Sequence, residues 1–63
     1  MSASCKVTWW LAGGLHAHVT YPDGDWERRV WSAEKWWEID ALVRELETTY
    51  GKTNVWVNAG AAA

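Results

Sequence analysis

The stretch CKVTWWLAGGLHAHVTY, Cys5 to Tyr21, decides how this chain is read. Both halves alternate with the period of a strand. Cys5, Val7, Trp9 and Leu11 fall on one side, and Lys6, Thr8 and Trp10 on the other. Leu15, Ala17, Val19 and Tyr21 likewise oppose His16, His18 and Thr20. A two-residue Gly13-Gly14 loop would set Trp9 against His18. A three-residue loop, Ala12-Gly13-Gly14, sets Leu11 against Leu15, Trp9 against Ala17 and Val7 against Val19, and gives a glycine the left-handed corner. A one-residue slip turns a whole strand over, so the matched register is expected. Trp9 then faces the core and Trp10 faces away from it.

The next turn is YPDGDW, Tyr21 to Trp26. Read as a two-residue Asp23-Gly24 hairpin loop, it pairs Tyr21 with Trp26, Val19 with Arg28 and Ala17 with Val30. The opposite side then pairs Thr20 with Glu27, His18 with Arg29 and His16 with Trp31. Arg28 lands on the core side, the weak point of this register, where a long stem would have to snorkel outward.

Ser32 with Glu34 reads as a helix start and Gly51 as its stop. Between them Trp36, Ile39, Val43, Leu46 and Tyr50 form an apolar stripe with Leu42 at its edge, and Trp37 lies outside it beside Arg44. NVWVNA is a short last strand, with Val55 and Val57 on one side and Trp56 on the other. The expected architecture is α+β in two layers, β-β-β-α-β: a mostly antiparallel four-stranded sheet with one helix across one face, and the last strand beside the first. Residues 1–58 form a single domain, and residues 59–63 are expected to be a flexible C-terminal tail.

The totals narrow the function classes. A chain of 63 residues is one domain at most, and a small one is marginally stable. Its only cysteine, Cys5, excludes an internal disulfide and fits a reducing compartment. The formal net charge of −2 opposes a general nucleic-acid binder. No apolar run approaches a membrane span and the first residues lack a signal-peptide pattern, so a cytoplasmic protein is expected. Seven tryptophans and no phenylalanine are far outside ordinary usage.

These tryptophans carry the functional reading. The face away from the helix is expected to hold Lys6, Trp10, His16, His18, Arg29, Trp31 and Trp56. That is more contiguous aromatic surface than a monomer ordinarily leaves wet. Interfaces favour Trp and Arg as anchors. The expectation is a non-enzymatic interaction module that self-associates, as a dimer, or docks on a protein through this face. Trp37 and Arg44 form a smaller second surface. Stacking on single-stranded nucleic acid is the alternative, disfavoured by the thin basic complement.

Other constellations read as structural. His16-x-His18 has ligand spacing but lacks a third and fourth donor, so no metal is expected. Cys5, His18 and Asp25 do not converge, because Cys5 and His18 lie on opposite sides of the sheet. PDGD is a turn, not a calcium loop, and Gly13-Gly14 precedes no helix. No catalytic residue, cofactor or small-molecule substrate is expected. A domain this thin should lack room for a pocket of the usual few hundred Å³. In general character, though by no motif, the chain resembles the small accessory proteins of phages and mobile elements that bind host machinery.

Overall fold

A computed structural model describes residues 4–60. Strands β1 (Cys5–Leu11), β2 (Leu15–Thr20) and β3 (Trp26–Trp31) form an antiparallel meander. Helix α1 (Trp37–Tyr50), a 3-10 turn (Lys52–Asn54) and strand β4 (Val55–Ala59) follow. The sheet order is β3-β2-β1-β4, with β4 parallel to β1. This is the expected α+β arrangement, with the last strand beside the first. The strand runs through Ala59, and the Gly60 N–H donates to the Trp9 carbonyl, so residues 59 and 60 belong to the sheet and not to a tail. The rest of the expected tail, residues 61–63, lies outside the described residues.

The first hairpin has the expected register, Leu11 opposite Leu15, Trp9 opposite Ala17 and Val7 opposite Val19. Gly13 occupies the left-handed corner at φ 63. The second hairpin does not. Leu15 stands opposite Trp31, Ala17 opposite Arg29 and Val19 opposite Glu27, one residue out of step with the Asp23-Gly24 reading. The cause is the loop. The Tyr21 N–H donates to the Asp25 carbonyl and the Gly24 N–H to the Tyr21 carbonyl, so the loop holds Pro22, Asp23 and Gly24. Gly24 takes the left-handed position at φ 92. Proline presets the first corner and glycine absorbs the last, the geometry of a three-residue hairpin ending in a bulge.

That single step turns β3 over. Trp31 and Arg29, expected on the open face, point to the helix side. Trp26, Arg28 and Val30 point away from it. Arg28 therefore no longer has to lie in the core.

The core is Cys5, Val7, Leu15, Ala17 and Val19 from the sheet, closed by Ile39, Leu42 and Leu46 from α1. Trp9, Tyr21, Trp31, Val43, Tyr50 and Val55 pack around it, partly buried. Leu42 sits at the centre of the buried stripe rather than its edge. The helix begins later than Ser32 and Glu34 suggest. Lys35 N–H donates to the Ser32 carbonyl and Glu38 N–H to the Lys35 carbonyl, two successive turns that lead into α1. Ser32 is thus not the cap; Trp36 holds that position without a side-chain hydrogen bond. Trp36 leaves the expected core stripe and is 69% exposed. At the other end, the Gly51 N–H donates to the Glu47 carbonyl at φ 98, where the helix stops.

Candidate functional site

The open sheet face is built by alternation on four strands. β1 contributes Lys6, Thr8 and Trp10, and β2 contributes His16, His18 and Thr20. β3 adds Trp26, Arg28 and Val30, and β4 adds Trp56 and Asn58. Of the residues expected to form the site, Lys6, Trp10, His16, His18 and Trp56 are here together. Arg29 and Trp31 are replaced by Arg28 and Trp26, as the turned-over β3 requires.

Two stacks flatten this surface. Trp10 lies on its cross-strand neighbour His16, centroids 5.3 Å apart and planes 9° apart. Trp26 stacks on His18 at the same separation and 24°. The His16 ring is fixed further: its Nε2 lies 2.9 Å from the Ala12 carbonyl, which only accepts, so Nε2 carries the hydrogen. A ring committed to Trp10 and Ala12 is a packing element. Among the described residues no group of three His, Cys, Asp or Glu is placed to hold a metal. Cys5 is fully buried on the helix side, away from His18. Burial pushes its thiol pKa up.

Exposure and charge distinguish the face. Trp26 and Trp56 are 60% and 61% exposed, and Val30 is exposed with them. The strand residues of this face include Lys6 and Arg28 and no carboxylate. Glu27, expected here, has moved to the helix side with Arg29. Most of the acidic side chains lie on that side of the sheet, on α1 and the turn before it.

On the helix side Glu27 gathers a small polar cluster. The Tyr21 hydroxyl donates to its Oε1, and Arg29 Nη2 donates to the same oxygen at 3.0 Å. Arg29 Nη1 lies 3.9 Å from Glu45 Oε2 on α1, tying β3 to the helix. The hydrogen bonds from Tyr21 and Arg29 hold the Glu27 carboxyl below its ordinary range. The Glu27 hydrogen bond, then burial, pushes the Tyr21 hydroxyl from 10 up to about 12. A raised folded pKa contributes stability that is complete below pH 10 and lost as pH rises through about 12. Unfolding free energies from urea titrations across that window should therefore fall more for the wild type than for Tyr21→Phe, by about 1–2 kcal/mol in total once solvent screening of this partly exposed group is discounted. Parallel curves would mean the phenol is not held by Glu27.

A second surface lies beneath the start of α1. A groove of about 520 Å³ is lined by Trp9, Leu11, Leu15, Ala33, Trp36, Ile39, Asp40, Val43 and Val57. The expectation that so thin a domain has no pocket is thereby corrected. The late helix start leaves Trp36 swung out, and the end of the sheet uncovered, with Leu11 55% and Val57 43% exposed. Trp36 meets Trp37 edge-on at 5.9 Å. Trp37 and Arg44, the expected second surface, are both exposed on α1.

No helix of the described residues is long and apolar enough to cross a membrane. A search of protein-family models, of curated proteins and of solved structures finds no match to this chain.

Proposed function

We propose that this chain is a non-enzymatic binding module, acting in the cytoplasm, that docks a protein partner on its open sheet face. The observation that carries the reading is a face holding Trp10, Trp26 and Trp56 beside Lys6 and Arg28 without a strand carboxylate. Tryptophan and arginine are the side chains that most often anchor protein interfaces. The charge selects the partner: an apolar surface rimmed by carboxylates complements it. Self-association face to face is disfavoured, because the face carries the cations Lys6 and Arg28 and no strand carboxylate with which a second copy could complement them.

The loss of Glu27 from the face also favours a second reading, stacking of single-stranded nucleic acid on the same rings. Trp26→Ala combined with Trp56→Ala separates the readings, since both rings are exposed and their removal should spare the fold. Affinity capture with the wild type should enrich an acidic protein. Its purified form should bind the double variant roughly 100-fold or more weakly. Equal binding by both would overturn the proposal. Quenching by an oligothymidylate that weakens steeply with salt would instead establish the nucleic-acid reading.

A further inference from the structure

The two edges of the sheet are guarded unequally. β3 presents Glu27, Arg28 and Arg29, charges of the kind that keep an edge from pairing. β4, Val55-Trp56-Val57-Asn58-Ala59, forms the other edge with no charge and no proline. The Gly60 N–H donates to the Trp9 carbonyl, continuing a ladder in which Trp56 stands beside Lys6 and Asn58 beside Thr8. Successive residues of a strand turn their amides to opposite sides. Trp56, Asn58 and Gly60 therefore direct N–H and C=O toward β1, and Val55, Val57 and Ala59 direct theirs outward. Among the described residues no backbone hydrogen bond takes up the outward groups of Val57 and Ala59, whereas the Val55 N–H lies in the 3-10 turn that precedes the strand.

We propose that β4 of a second copy of this chain occupies the edge, antiparallel, about a two-fold axis at Val57. The outward N–H and C=O groups of Val57 and Ala59, with the Val55 C=O, then meet an identical set. Val57 faces Val57 of the second copy as a hydrogen-bonded pair, and Val55 faces Ala59. On the open face Trp56 lies opposite Asn58, a large side chain against a smaller one. On the helix side Val57 is 43% exposed at the mouth of the apolar groove, so the axis brings two such mouths together. No like charges oppose one another anywhere along the pairing. The contact leaves Trp10, Trp26, Lys6 and Arg28 of the open face uncovered, and it joins two four-stranded sheets into one of eight.

The test is solution mass by analytical ultracentrifugation from micromolar to millimolar concentration. The wild type should show a concentration-dependent monomer–dimer equilibrium. Val57→Pro removes an N–H that points away from β1, a place where an edge strand tolerates proline, and should be monomeric throughout. Should Val57→Pro fail to fold, Val57→Lys and Val57→Glu keep the question open to measurement. Each should be monomeric alone, and an equimolar mixture should dimerise, because residue 57 meets only itself. Trp26→Ala, far from the edge, should leave the dimer intact. A monomeric wild type overturns the proposal. So does a dimer that survives the position-57 variants, a Lys/Glu mixture that stays monomeric, or a dimer lost in Trp26→Ala.

Discussion

Leu42→Ala should bring the domain to the margin of folding. Leu42 is 2% exposed and lies between Ile39 and Leu46, the other two buried side chains of α1. Truncating a buried leucine costs about 2–5 kcal/mol, as lost transfer energy plus the cavity left behind. A chain of this length has roughly 3–9 kcal/mol in all, and its single cysteine offers no internal cross-link to offset the loss. The urea midpoint by far-ultraviolet circular dichroism should fall by half or more with little change in slope. Val30→Ala, at an exposed position on the other face, should cost no more than about 0.5 kcal/mol. A Leu42→Ala midpoint close to that of the wild type would mean that the helix is not held by this stripe.

The second large effect separates two tryptophans five residues apart in one strand. Trp31 is partly buried against the core on the helix side of the sheet, whereas Trp26 is 60% exposed on the open face. Trp31→Ala should cost about 2 kcal/mol, less than the 3–5 typical of a fully buried ring because Trp31 is only partly covered. Trp26→Ala should cost under about 1 kcal/mol, chiefly its stack on His18. The order of the two costs reports the register of β2 against β3 directly. Were Asp23-Gly24 the loop, Trp26 would be the inner ring and the order would reverse.

The same strand shows what the sequence makes legible and what it does not. In the first hairpin only one loop length sets apolar side chains opposite one another, so the β1–β2 register follows from Val7, Trp9, Leu11, Leu15, Ala17 and Val19. WERRVW offers no such choice. Its two sides are Trp26, Arg28, Val30 and Glu27, Arg29, Trp31, each with one tryptophan and one arginine. Alternation separates them only by Val30 against Glu27, which favours the wrong side, and the turn decides. Pro22 was the available signal, because a proline at the first corner, followed by Asp and then Gly, suits a three-residue loop as well as Asp-Gly suits two. The contact that accompanies the actual register, from Arg29 on β3 to Glu45 on α1, spans sixteen residues, and no local window contains it. The helix start misleads for a related reason. Ser32 and Glu34 have the chemistry of a cap, but the chain uses them in the turns that connect β3 to α1. The groove beneath Trp36 follows from that displacement and has no signature of its own in the sequence.

For an acidic partner of the kind proposed, the separation of charge between the two sides of the sheet would also govern how it arrives. With a net charge of −2, the molecule as a whole repels an acidic body only weakly, and salt screens that repulsion at distance. Attraction to Lys6 and Arg28 takes over only within about a screening length, roughly 8–10 Å near physiological salt. Such a partner would meet like charge on the helix side and opposite charge on the sheet side, so the molecular dipole would bias the orientation of encounter before any indole makes contact.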